Sequence, residues 1–166
     1  LPCRFSDLQG ASVFITGGGS GIGAALTEGF LQQGAKVAFV QRTDATEFCD
    51  RIEAKYGSRP LFKACDLSDI GQLQVIMQEV ATEQGSIKVL VNNAAVDNRH
   101  QLAEYDIAAW DQSINVNLRP HFFTAQAVAA GMKALGGGSI INFSSIAYLM
   151  GNAGYPAYVA AKAAIT

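Results

Sequence analysis

Neither sign of charge dominates this chain. Its 166 residues carry 12 Lys and Arg against 14 Asp and Glu, a net charge of −2, with no basic cluster. A role built on charge attraction to nucleic acid or to a membrane surface is therefore not expected. Long apolar runs are missing too, and none approaches the roughly 20 residues needed to span a bilayer. Cysteine is scarce: Cys3, Cys49 and Cys65 are scattered, odd in number and without CxxC spacing or partnering histidines. That argues against a zinc site and a disulfide framework, and fits idle thiols in a reducing compartment. No metal is expected. The opening "LPCRFSDLQG" lacks the basic and apolar regions of a secretory signal, so the cytoplasm is the expected location.

What is present is a globular composition, 49% hydrophobic and 16% charged, in a length that suits one domain over residues 1–166 with a real core. Short apolar runs at 12–16, 36–40, 61–65, 87–91 and 139–143 read as strands. Most are nearly continuous in β-branched and aromatic residues, as in strands covered on both faces. Helical patterns near 22–33, 45–56, 69–84, 106–134 and from 156 onward alternate with them. Such alternation predicts an α/β fold, a doubly wound parallel sheet with right-handed crossovers. The pattern breaks off at Thr166, inside the fifth helix.

The segment "FITGGGSGIGAAL" (14–26) follows the first strand and opens the first helix. Gly17 suits a tight turn, Gly21 a close approach of backbone to a pyrophosphate, and Gly23 tight packing of helix on strand. The helix N-terminus then offers free N–H groups to phosphates. Three residues separate Gly17 from Gly21, where the usual dinucleotide fingerprint has one between its first two glycines. With Thr16 this spacing resembles the TGxxxGxG motif of the short-chain dehydrogenase/reductase family, NAD(P)-dependent oxidoreductases on a Rossmann fold. The resemblance implies that Gly17, Ser20, Gly21, Ile22 and Gly23 hold the cofactor.

Other motifs follow in the family's order. The second strand ends "FVQRT". Gln41 stands where NAD-specific members carry Asp, and the Arg42 guanidinium suits a 2′-phosphate. No basic residue precedes Gly21, and Asp44 remains available for a ribose hydroxyl. The cofactor is NAD or NADP, with a lean to NADP. In "CDLSD", Asp66 resembles the aspartate that accepts from the adenine amino group, assisted by the backbone of Leu67. A helix cap is the structural alternative, one that Ser68 or Asp69 can also fill. "VLVNNAAVDNRH" (89–100) resembles the NNAG motif, with Ala95 replacing its glycine and Asn93 matching the position that touches the cofactor. Asn98, Arg99 and His100 beside it form either a substrate wall rich in donors or a solvated loop.

Trp110, Ile114, Asn117 and His121 recur at helical spacing and so share a face. Pro120 removes the N–H that the Val116 carbonyl needs, which predicts a kink suited to holding a water beside Asn117. Asn117 matches the family's catalytic asparagine.

The run "GYPAYVAAKAA" (154–164) offers two tyrosines and one lysine. Pro156 suits the first turn of a helix, leaving Tyr155 at or before the cap. Tyr158 and Lys162 then lie one turn apart on a shared face. Ser145, rather than Ser144, has the family's spacing of 13 residues to Tyr158. The resemblance implies a Ser145–Tyr158–Lys162 mechanism. A free phenol titrates near ~10, and a neighbouring ammonium favours the phenolate. Tyr158 then accepts the proton of an alcohol, Ser145 stabilises the reacting oxygen, Tyr158 and Lys162 also belong to the cofactor site, where Lys162 holds the nicotinamide ribose, and Asn117 holds a relay water.

A looser resemblance, over 97–100 and "WDQSINVNLRPHFFTAQAV" (110–128), is to the family's sugar dehydrogenases. It implies an aldose as substrate, with a 3-oxoacyl or ketone reductase as the second reading. A non-catalytic NADP(H)-sensing module is the reading from another class. The family also implies a homo-oligomer, commonly a tetramer, and a chain that runs on past this point.

Overall fold

The apolar runs become strands β1 (Ser12–Thr16), β2 (Lys36–Gln41), β3 (Leu61–Ala64), β4 (Ile87–Asn92) and β5 (Ser139–Asn142) in a computed structural model that describes residues 3–151 and 153–166. Between them lie helices α1 (Gly21–Gln32), α2 (Thr46–Tyr56), α3 (Ile70–Gln84), α4 (Ile107–Asn117), α5 (Arg119–Ala134) and α6 (Pro156–Ala164). All neighbouring strands are parallel, in the order β3-β2-β1-β4-β5. The Rossmann-type α/β sheet read from the sequence is therefore the observed one.

The period of two along each strand sorts the core into two layers. Phe14 and Leu90 join Leu73, Met77 and Val80 of α3 and Val128 of α5 on one face. Val13, Ile15, Val89 and Val91 join Leu31 of α1 and Phe48 and Ile52 of α2 on the other. Local chemistry sets the helix ends. Asp69 caps α3 by accepting from Gln72 N at 2.9 Å, and Asp106 caps α4 through Ala109 N at 2.7 Å. Gly57, at φ 70°, ends α2 in the left-handed conformation that a side chain would resist.

One expectation needs correction. The single helix over 106–134 is two helices, broken at Leu118 (φ −122°, ψ −54°). Pro120 has no N–H for the Val116 carbonyl, and His121 N turns to the Leu118 carbonyl instead, at 3.1 Å. The stripe from Trp110 to His121 is thereby divided, with Trp110, Ile114 and Asn117 in α4 and His121 in α5; Asn117 and His121 are buried and Trp110 is 41% exposed. Most of the strands are buried, and β5 is exposed. Ile140 and Ile141 of β5 point to opposite faces and are each 42% exposed, at the end of the sheet, where β5 pairs with β4.

From β1 the chain steps outward through β2 to β3, then returns to the other side of β1 for β4. That reversal opens a crevice at the C-terminal strand ends, the place where open α/β sheets take ligands.

Candidate functional site

The glycine turn builds the crevice floor. Gly17 has φ 72° and Gly21 has φ 50°, and a Cβ at Gly21 would enter open space. A Cβ at Gly23 would overlap the Gly17 carbonyl oxygen and lie 2.8 Å from Asn93 Nδ2. So Gly23 holds α1 against the end of β1, as its position predicts. Ser20 occupies the N-cap of α1 without a side-chain cap bond. The helix N-terminus stays open to an anion.

The crevice, about 400 Å³, is lined by Gly17, Ser20, Ile22 and Gly23 of the turn, Arg42 after β2, Asp66 and Leu67 after β3, and Asn93 after β4. The structure thus gathers eight cofactor candidates from four strand ends into one groove. The set fits a nicotinamide dinucleotide, since the open space beside Gly21 and the tight Gly23 contact leave a phosphate room above the helix.

Asp66 Oδ1 accepts from Ser68 N and Ser68 Oγ at 2.9 and 2.8 Å. Those bonds, helped by the Arg42 charge, hold its carboxyl below the usual range. Asp69, not Asp66, caps α3. Asp44 is occupied with Thr46, 2.7 Å away.

Asn93 donates from Nδ2 to the carbonyls of Thr16 and Gly17 at 3.1 and 3.2 Å. It thereby locks the end of β4 to the glycine turn. Asn92 donates to Asn142 Oδ1 at 2.9 Å and ties β4 to β5. The side chain of Asn117, the residue expected to hold a relay water, is bonded to protein. Its Oδ1 accepts from Val96 N at 2.8 Å, and its Nδ2 donates to Val96 O at 2.9 Å and Ser113 Oγ at 3.2 Å. With both amide hydrogens committed to protein, Asn117 pins the loop after β4 to the break between α4 and α5.

The third group lies after β5. Ser144 donates to the Lys162 carbonyl at 2.7 Å, a structural contact with α6. Ser145 starts the 3-10 turn Ile146–Tyr148 and accepts from Ala147 N at 3.2 Å, so its own proton remains to be donated. Pro156 opens α6 and Tyr155 is its N-cap, 6% exposed. Tyr158 packs edge-on against Tyr155 at 5.5 Å between ring centroids. Lys162 is buried, donates to Phe143 O at 2.6 Å and lies 5.8 Å from the Tyr158 ring centroid.

Burial pushes the Lys162 ammonium down to about 8, so at neutral pH it still carries its proton. In the unfolded chain the group titrates near 10.5. The unfolded state therefore binds more protons between about pH 8 and 10.5, and stability rises with pH across that window. Subtracting the urea unfolding free energies of Lys162→Met from those of the wild type isolates this contribution. The difference should grow by about 2 kcal/mol after solvent screening; a flat difference would contradict the buried ammonium.

Asn98 is exposed. Arg99 lays its guanidinium 4.5 Å from the Tyr155 ring centroid, and His100 stacks on Tyr105 at 3.6 Å. Gly21, Ser145, Tyr158 and Lys162 do not line the dinucleotide crevice, which reaches Val96 and Val116 in the direction of α4; α6 packs on α4.

Several contributors escaped the sequence reading. Gln41 Oε1 caps Gly19 N at 2.9 Å, and its Nε2 donates to Thr43 O at 3.0 Å. Thr16 Oγ1 accepts from Asn93 N and Ala94 N at 3.0 and 3.1 Å. The Thr of "ITG" was its only sequence signal. Cys65, whose thiol burial pushes up to about 11, forms part of the crevice wall. Among the described residues no His, Cys, Asp and Glu cluster suits a metal, and no helix is long and apolar enough to cross a membrane.

Sheet order, glycine turn and crevice together define a Rossmann-type nucleotide-binding protein. More narrowly, the chain belongs to the short chain dehydrogenase family, whose pattern it matches over residues 11–166. It is 47% identical over 164 residues to a probable galactose dehydrogenase of Rhizobium meliloti, covering 98% of this chain and 64% of that protein. A D-xylose 1-dehydrogenase of Caulobacter vibrioides is 46% identical, with 97% and 64% covered. The ligand-free aldohexose dehydrogenase of Thermoplasma acidophilum superposes with a TM-score of 0.86 at 29% identity, over 97% of this chain and 59% of that one. The chain thus spans a little under two-thirds of the length of these relatives.

Proposed function

We propose that this chain forms the nucleotide-binding and catalytic part of an NAD(P)-dependent dehydrogenase that oxidises an aldose at its CH–OH group. Identity of 46–47% to two sugar dehydrogenases carries this reading. A bound nicotinamide dinucleotide supplies the hydride acceptor. The glycine turn, Asp66, Leu67 and Asn93 would hold it. Tyr158 takes the proton from the substrate hydroxyl, with the Lys162 cation one helical turn away to favour the phenolate. Ser145 donates to the reacting oxygen, where negative charge develops. Asn117 serves the proton path through its main chain, where the broken helix leaves carbonyls without helical partners. A homo-oligomer, commonly a tetramer in this family, and a cytoplasmic setting belong to the same proposal.

The test follows the near-ultraviolet absorbance of reduced nicotinamide with a panel of aldoses. Turnover with a sugar upholds the reading. Turnover confined to 3-oxoacyl or simple ketone substrates replaces it with a reductase, and NADP binding without any turnover replaces it with a sensing module.

NADP is the favoured cofactor, since β2 ends in the neutral Gln41 and Arg42 lines the crevice. A charge-assisted bond contributes about 1.5–3 kcal/mol. Arg42→Ala should therefore raise the NADP dissociation constant by roughly 10–100-fold and leave NAD nearly unchanged. Equal losses for both cofactors would refute a phosphate-gripping Arg42.

A further inference from the structure

The loop after β4 crosses to the start of α6, and we propose that Arg99 acts through that crossing as a positioning residue for Tyr158. Two anchors fix the loop. At one end the Asn117 amide holds both the N–H and the carbonyl of Val96. At the other, His100 N donates to Gly154 O at 2.7 Å. Between the anchors, Arg99 spreads its guanidinium over Tyr155, and Tyr155 meets Tyr158 edge-on at an interplanar angle of 77°.

The start of α6 needs such support. The chain leading to it turns through Gly151 at φ 62° and Gly154 at φ 95°, residues that place little restraint of their own on the helix direction. An aromatic face under a cation, and an aromatic edge against the reacting phenol, supply direction. Within the stretch 98–100 this task falls to Arg99. The His100 ring is turned onto Tyr105, with Nδ1 2.9 Å from Asn98 O, and Asn98 is exposed. Arg99 was a candidate for direct substrate binding; its place over Tyr155 assigns it to the helix instead.

The inference rests on Tyr158 being the proton acceptor proposed above, so its experiment has one arm independent of turnover. In the full-length protein, Arg99→Ala and Arg99→Lys are compared with the wild type for kcat, for KM of the sugar, for nucleotide affinity and for amide exchange over residues 155–162. Arg99 is exposed, so its truncation leaves the core intact. Arg99→Ala is expected to lower kcat about tenfold through misplacement of the phenol, with KM and nucleotide affinity within about twofold. Arg99→Lys keeps the cation and restores most of the rate. Exchange at the start of α6 quickens in the alanine variant alone. A raised KM at constant kcat without rescue by lysine would make Arg99 a substrate ligand and overturn the proposal; so would unchanged kcat with unchanged exchange. A wild type without turnover defeats the dehydrogenase reading, and exchange then decides alone: quickened upholds the positioning role, unchanged removes it.

Discussion

Tyr158→Phe is expected to lower turnover roughly a thousandfold while nucleotide affinity and thermal stability stay close to the wild type. The change removes one oxygen and keeps the ring that packs on Tyr155 at 5.5 Å. Fold and crevice therefore have no reason to respond. What disappears is the acceptor for the substrate proton, and general-base catalysis is typically worth 10²–10⁴ in rate. Lys162 remains buried beside the altered ring with its bond to Phe143 O, which limits the secondary damage. The parallel variant Tyr155→Phe keeps the face under Arg99 and should have a far smaller effect on kcat. Steady-state rates and nucleotide titrations of the two variants decide between the tyrosines. A Tyr158→Phe protein that turns over like the wild type would remove the base from the mechanism.

The sequence exposed those parts of the molecule whose causes are local. Gly17 and Gly23 were legible because a turn between strand and helix leaves few solutions, and glycine is the residue each position tolerates. Tyr158 and Lys162 were legible because four residues in a helix return to the same face. The Pro120 kink was visible, but the break at Leu118 was not. At the break Asn117 closes onto Val96, a pairing between segments far apart in the chain. The pairing of the Asn117 amide with the Val96 backbone was hidden because nothing local announces a partner so far along the chain. Gln41 was noticed for the charge it lacks, whereas its work is to cap Gly19 N. Arg99 looked like a solvent or substrate group until Tyr155 was placed beneath it. Helical and glycine chemistry can be read along the chain, and contacts across the crevice cannot.

Gly23→Ala and Gly29→Ala, two identical changes in α1, should act in opposite directions. At Gly23 the new methyl overlaps the Gly17 carbonyl oxygen and presses on Asn93 Nδ2. Both neighbours are fixed. The carbonyl belongs to the turn itself, and Asn93 is held by its bonds to Thr16 and Gly17. Neither can retreat as the tip of a flexible side chain would, so α1 must lift from β1, and the turn that faces the phosphates lifts with it. Overpacking of this kind costs about 1–3 kcal/mol and more where backbone blocks the way, which lowers Tm by roughly 5–10 °C in a chain of this size. Dinucleotide affinity should fall in parallel, because the N–H groups of the same turn and helix start form the phosphate cradle. At Gly29 a Cβ meets nothing within 4 Å, and the position lies inside the helix. Alanine there reduces the freedom of the unfolded chain and should stabilise by about 0.5–1 kcal/mol without touching affinity. Thermal melts with nucleotide titrations on the two variants separate the cases. A Gly23→Ala protein as stable and as tight-binding as Gly29→Ala would show that α1 is not held against β1 by that glycine, and the crevice floor would need another explanation.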